Sequence, residues 1–132
     1  MPVQGTPDQF VNLLKDTIVA LVRRDSPDLT ARQFSILLTV YLNEGPHTVS
    51  GLAALLNVSK PAVTRSIDRL EEFNFVRRKV DLKDRRSVHI RRTERGAALL
   101  REMQTIMAEA PASGAGTPQE AASSITRGDV TL

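Results

Sequence analysis

The chain has 132 residues, 41% of them hydrophobic and 25% charged, which fits one globular domain able to bury a core without cross-links. It has no cysteine, which excludes disulfides, thiolate metal sites and thiol redox chemistry, and its 4% aromatic content offers no platform for stacking single-stranded bases. The net charge of +3 is unevenly held: residues 1–59 balance at −1 and residues 93–132 at −2, whereas residues 60–92 carry eleven basic and five acidic side chains. That local balance of +6 points to a polyanion bound at one place. No apolar run nears the ~20 residues of a membrane span and the start lacks a signal peptide's pattern, so the expected location is the cytoplasm, away from the membrane.

Residues 1–5 are expected to fray. Thr6-Pro7-Asp8-Gln9 then reads as a helix start, with Thr6 as cap and Gln9 completing a capping box. Phe10, Leu13, Leu14, Ile18, Leu21 and Val22 follow at helical spacing to about Arg24. Val11, Val19 and Ala20 widen that apolar face enough to meet a second element or a second subunit. Thr30 and Gln33 repeat the start signal for a helix apolar nearly all round, Phe34 to Leu42, with Gly45 expected as its left-handed cap and Pro46 as its stop. Thr48 caps a short helix carrying Val49, Leu52, Ala53, Leu55 and Leu56. Asn57 sits where the following turn wants a left-handed residue.

Residues 59–73 form the next helix, capped by Ser59, with Pro61 in its first turn and Val63, Ile67, Leu70 and Phe73 as a buried stripe. Lys60, Pro61, Thr64, Arg65 and Asp68 are left facing outward. A short helix, a tight turn and a longer helix make a helix-turn-helix. The pattern then alternates: Val76–Val80 is a strand, residues 81–86 a polar turn and residues 87–91 the return strand, with Val88 and Ile90 inward and His89 and Arg91 outward. Thr93 opens a last helix with Ala97, Ala98, Leu99, Leu100, Met103, Ile106 and Met107 on its core side. From Pro111 the Ala/Ser/Gly/Pro/Thr-rich sequence predicts a flexible tail, with a marginal helix over 118–126. The organisation expected is an N-terminal helix over 1–28, a DNA-binding unit over 29–92, a helix over 93–110 and a tail over 111–132.

This mainly α plan with a small β-hairpin is a winged helix-turn-helix, and the residues resemble the MarR family of bacterial transcription regulators. The resemblance is carried by Leu29-Thr30 with Gln33-Phe34, by Ser59-Lys60-Pro61-Ala62-Val63-Thr64-Arg65 with Ile67-Asp68-Arg69-Leu70-Glu71, by Val76-Arg77-Arg78, by Asp84-Arg85-Arg86 and by Thr93-Glu94-Arg95-Gly96. It covers about residues 10–108, and the order and spacing of the motifs are more specific than any one of them. Asn57 and Asn74 stand where the family usually has glycine. The family's long C-terminal helix pair is also shortened here, which shifts part of dimerisation to residues 7–24.

The resemblance implies double-stranded DNA as partner, a homodimer on a near-palindromic operator, most simply a repressor, and small aromatic or anionic molecules as effectors of unknown identity. It implies no cofactor and no metal. The helix of residues 59–73 enters the major groove, where Arg65 is the candidate for paired contact to guanine O6 and N7, worth about 1–3 kcal/mol of discrimination. Ser59, Thr64 and Ser66 are expected to bind phosphate or cap the helix, with Lys60, Pro61 and Arg69 completing its DNA side. Asp84 resembles the family's carboxylate that orients an arginine, here Arg86, into the narrow minor groove. Arg77, Arg78, Lys79, Lys83 and Arg85 are expected to neutralise phosphates. The plain alternatives are an Arg65 paired with Asp68 or Glu72 and an Asp84–Arg86 surface pair worth at most about 1 kcal/mol. Two other functions fit the same sequence: a winged-helix protein-interaction module and a nucleoid-type binder without sequence preference. His47 and His89 lack a cluster of partners, and no catalytic arrangement proposes an enzyme.

Overall fold

The computed structural model describes residues 5–114, with side chains to residue 109. Its helices are α1 (Pro7–Arg23), α2 (Ala31–Leu42), α3 (Val49–Leu56), α4 (Lys60–Glu72) and α5 (Glu94–Gly114), with the antiparallel strands β1 (Val76–Val80) and β2 (Val88–Arg92) before α5. Hydroxyl caps set the starts of the first four helices. Thr6 and Thr30 make full capping boxes with Gln9 and Gln33, Thr48 accepts from the Gly51 amide at 3.0 Å, and Ser59 accepts from the Ala62 amide at 3.2 Å. Each such cap contributes about 1 kcal/mol. Asn57 ends α3 with φ 55° and Asn74 turns the chain from α4 into β1 with φ 61°, both in the left-handed region that asparagine tolerates. Asp25 adopts the same conformation after α1, at φ 57°.

The described residues divide into two compact units, 27–101 and 5–26 with 102–114. In the first, Ile36, Leu37 and Val40 of α2 and Leu52 of α3 are buried with Val63, Ile67 and Leu70 of α4, Phe75, Val76, Ile90 and Leu99. α4 packs on both α2 and α3. Strand register runs from Val76 opposite Arg92 to Val80 opposite Val88, and the Ile90 amide donates to the His47 carbonyl at 2.8 Å, so the hairpin is also tied to the segment before α3. In the second unit Thr17, Leu21, Met103 and Ile106 are buried, and Arg24 meets Glu102 at 3.4 Å.

One hydroxyl ties the first unit together. Tyr41 Oη donates to the Phe75 carbonyl at 2.7 Å and accepts from the Thr93 amide at 2.8 Å, so that α2, the entry to β1 and the exit from β2 meet at one atom. Thr93 then caps α5, its Oγ1 donating to the Asn74 carbonyl at 2.7 Å and accepting from the Gly96 amide at 3.0 Å. Gly96 leaves the room for this: a Cβ there would run into the Tyr41 hydroxyl and the Phe75 carbonyl.

The architecture expected from the sequence is present: α3, the turn at Asn57 and α4 form the helix-turn-helix, and β1–β2 form the wing. Several local expectations are corrected. Gly45 does not supply a left-handed cap; α2 leaves its last turn through extended backbone at Asn43. The Val40 and Asn43 carbonyls receive Arg92 instead, at 2.8 and 3.3 Å, so no glycine is needed to cover that helix end. Leu42 and Leu55, counted with the apolar faces, are exposed at helix ends. His89 is half-buried rather than outward, 3.9 Å from Asp81, while Val88 beside it is only half-buried. Helix α5 runs four residues past the expected break, through Pro111 to Gly114, because proline withdraws a single amide and the flanking alanines favour helix. The rest of the expected tail, and the helix expected over 118–126, lie outside the described residues.

Replacing Gly96 with alanine is expected to destabilise the protein by about 1–3 kcal/mol or more, as overpacking against fixed backbone does. Urea unfolding followed by circular dichroism measures it, and Tyr41→Phe should lose about 1–3 kcal/mol in the same assay because backbone groups are left without their partner.

Candidate nucleic-acid interface

The inward side of α4 is made by Ala62, Val63, Ser66, Ile67 and Leu70, all buried. Ser66 is therefore not the phosphate binder or cap expected of it; its small side chain belongs to the packed face. The opposite side carries Lys60, Pro61 and Arg65, all exposed, with Thr64 half-buried at the edge. Ser59 uses its hydroxyl to cap α4, leaving the backbone start of the helix fixed beneath Lys60 and Pro61. Arg65 has no ion-pair or hydrogen-bond partner among the described residues, and it lines a shallow groove of about 410 Å³ with Thr30, Ala31, Arg32, Gln33, Ala62 and Ser66. Arg32, exposed at the start of α2, thus stands beside Arg65. It lies far from the basic segment in sequence, so the charge balance of residues 60–92 does not include it.

The acids of residues 60–92 are consumed internally. Arg69 Nη1 reaches Glu72 at 2.7 Å, and its guanidinium lies 4.7 Å from the Phe73 ring centre, so Arg69 is drawn toward the C-terminal end of α4. Arg78 holds both remaining helix acids, Nη1 to Glu71 and Nη2 to Asp68 at 2.5 Å each, while its own amide donates to Glu71 Oε2 at 3.1 Å and Nη2 donates to the Thr64 carbonyl at 3.3 Å. Burial works against the Arg78 charge, but hydrogen bonds and attraction from Asp68 and Glu71 outweigh it and raise its pKa. The expectation that Arg78 is a free phosphate neutraliser is thus corrected. On β1 it shares a face with buried Val76, and that alternation, with two acids waiting on α4, is the signal that distinguishes it from Arg77.

At the wing, Asp84 does more than sit beside an arginine. Its Oδ1 accepts from the Arg86 amide at 3.1 Å and its Oδ2 from the Ser87 hydroxyl at 3.2 Å, whereas Arg86 Nε is 3.8 Å away. Asp81 folds the other side, accepting from the Lys83 amide at 2.9 Å. The Arg86 side chain is 96% exposed, and Lys83 and Arg85 are exposed beside it. Across residues 60–92 every carboxylate has a partner. By contrast, the side chains of Lys60, Arg65, Arg77, Lys79, Lys83, Arg85 and Arg91 have no ion-pair or hydrogen-bond partner among the described residues. What remains on this surface is uncompensated positive charge, on a helix start and a wing tip.

His47 Nε2–H donates to the Asn43 carbonyl at 2.9 Å, a local loop contact. Among the described residues no group of three or more His, Cys, Asp or Glu side chains is placed to hold a metal, and no helix is long and apolar enough to cross a membrane.

Residues 29–88 match the MarR family model. The HTH-type transcriptional regulator PecS of Dickeya dadantii is 36% identical over 74 residues, 54% of this chain and 45% of PecS, so the chain spans about half the length of this relative. Among solved structures, a mutant S. aureus MepR bound to an oligodeoxyribonucleotide superposes with a TM-score of 0.68 at 21% identity, covering 92% of this chain and 87% of that one. The transcriptional regulator Tm0710 of Thermotoga maritima gives 0.62 at 25% identity, covering 92% and 91%. CouR of Rhodococcus jostii RHA1, bound to p-coumaroyl-CoA, gives 0.57 at 25% identity, covering 87% and 79%.

Asp84→Ala is expected to speed amide exchange at Arg86 by about 2- to 10-fold, the equivalent of one hydrogen bond's ~0.5–1.5 kcal/mol, whereas Asp84→Asn, which keeps an accepting oxygen, should leave Arg86 protected. Hydrogen exchange followed by NMR distinguishes the two.

Proposed function

We propose that the protein is a transcription regulator of the MarR type, whose family model its residues 29–88 match, and that it binds double-stranded DNA sequence-specifically, as a homodimer, and represses by occupying a near-palindromic operator. The observation that carries the reading is the pairing pattern across residues 60–92: every acid is engaged within the protein, those of α4 by an arginine and those of the wing by turn amides, while Lys60, Arg65, Lys83 and Arg85 stay free, with Arg86 extended at the wing tip. An α4 that offers Lys60, Thr64 and Arg65 from its N-terminal half suits the major groove, whose edges a helix reaches with its first turns. A wing tip bearing Arg86 suits the minor groove, where negative potential is concentrated. Ser59, Pro61, Arg77, Lys83, Asp84 and Arg85 then serve by capping, spacing or neutralising around those two contacts, while Arg69, paired with Glu72, lies one turn beyond Arg65. Cations near phosphates supply affinity, and Arg65 supplies discrimination.

The dimer is proposed to form in part through α1. Val11, Leu14, Ile18 and Val22 recur at helical spacing and remain 65%, 56%, 47% and 60% exposed, an apolar face that a second copy would cover. Two-fold symmetry then sets half-sites about one helical turn apart.

Selection from a random duplex library followed by titration tests the reading. Binding is expected to prefer the selected near-palindrome and to weaken by roughly 10³–10⁵ between 50 and 200 mM salt if six to ten phosphates are contacted. Arg65→Ala should relax preference at one guanine by about 5- to 150-fold, the equivalent of 1–3 kcal/mol, while Arg85→Ala should weaken all sequences alike. Equal affinity for selected and random duplex would instead mark a binder without sequence preference. In sedimentation experiments Ile18→Glu is expected to shift the protein toward monomer and leave its circular dichroism spectrum unchanged; an unaltered dimer would remove α1 from the interface.

A further inference from the structure

The free state of Arg65 needs a physical cause. Asp68 lies three residues on along α4, the spacing at which a carboxylate and a guanidinium pair on a helix surface. Left to itself, Asp68 would draw Arg65 down along the helix and occupy the donors that a base edge needs. It does not, because Asp68 is already held by Arg78 Nη2 at 2.5 Å. Arg78 is itself anchored from the next turn: Glu71 takes Nη1 at 2.5 Å and the Arg78 amide at 3.1 Å. The second contact of Nη2, to the Thr64 carbonyl at 3.3 Å, joins the guanidinium to the backbone immediately before Arg65. Thr64, Asp68 and Glu71 stand at i, i+4 and i+7, so one planar group ties together three residues whose backbone positions extend over about 10 Å of one helix face. A fork of five donors can do this; a lysine's single head cannot.

We propose that Arg78 is a positioning residue for DNA reading: anchored by Glu71, it occupies the Asp68 carboxylate and thereby keeps Arg65 free for the base edge. The inference rests on the DNA-binding reading above and adds a role for a residue that does not touch DNA. Strand β1 of the wing, through Arg78, thus governs what α4 presents. Neither ion pair has to be strong for this, since both acids are partly exposed and an isolated exposed pair contributes little. It is enough that Asp68 prefers Arg78, which its second anchor holds in place, over the unanchored Arg65.

The test is a set of titrations on the duplex selected above, comparing the full-length protein with Arg78→Gln, Asp68→Asn and the double variant. Arg78→Gln is expected to weaken binding about tenfold, with loss of preference at the guanine assigned to Arg65 and an unchanged salt slope. Asp68→Asn alone should bind like the parent protein. In the double variant, removal of the competing charge should restore affinity and guanine preference to within about threefold of the parent. Should Arg78→Gln fail to fold by circular dichroism, Glu71→Gln removes the anchor at the helix surface and is expected to give a smaller loss with the same rescue by Asp68→Asn. Failure of that rescue, a salt slope lowered by about one, or parent-like binding by Arg78→Gln each overturns the inference. If Arg65→Ala alters discrimination but the rescue fails, only the role of Arg78 falls; if no duplex is preferred at all, the sequence-specific reading falls with it.

Discussion

Burial of one side of α4 is the constraint on which the rest of this surface depends. Ala62, Val63, Ser66, Ile67 and Leu70 are locked against α2 and α3, so the rotation of the helix is not free, and Lys60, Pro61 and Arg65 are what remains for water or a ligand. Two of the five inward residues are small, which lets α4 lie close to its neighbours. The same packing places the first turn of α4 beside the start of α2, bringing Arg32 next to Arg65. Apolar area and small side chains on one side thus decide the chemistry available on the other, and polar contacts refine it.

Charge then acts by subtraction. A segment with eleven basic and five acidic residues is not made useful by its excess alone, because any acid left free could pair with the wrong arginine. Arg69 takes Glu72, Arg78 takes Glu71 and Asp68, and at the wing Asp81 and Asp84 accept backbone amides that fold the turn. Asp84 illustrates how a pair read as a salt bridge works otherwise: its hydrogen bonds to the Arg86 amide and the Ser87 hydroxyl are shorter than its 3.8 Å approach to the Arg86 side chain. The carboxylate shapes the loop, and the arginine it is said to orient is left extended.

Much of this was legible in the sequence because it is local. Thr6 with Gln9, Thr30 with Gln33 and Ser59 before Pro61 specify helix starts within four residues, and Asn57 and Asn74 mark left-handed turns by the chemistry of one side chain. The stripe of Val63, Ile67 and Leu70 was equally plain. What the sequence hid is contact between distant residues: Tyr41 with Phe75 and Thr93, Arg92 with the end of α2, and Arg78 with α4. Arg77, Arg78 and Lys79 look alike as three adjacent cations, and only strand alternation beside buried Val76 separates the one that folds back from the two that do not. Ser66 misled for a related reason, since a hydroxyl reads as polar although its size suits a tight helix crossing.

Helix α4 and the wing are proposed to read two grooves of the same duplex. Methylation protection by dimethyl sulfate examines both at once, because guanine reacts at N7 in the major groove and adenine at N3 in the minor groove. Protected guanines are expected within each half-site, lost in Arg65→Ala, with protected adenines flanking them, lost in Arg86→Ala. A stable complex on the selected duplex that leaves both positions as reactive as in free DNA would contradict that reading.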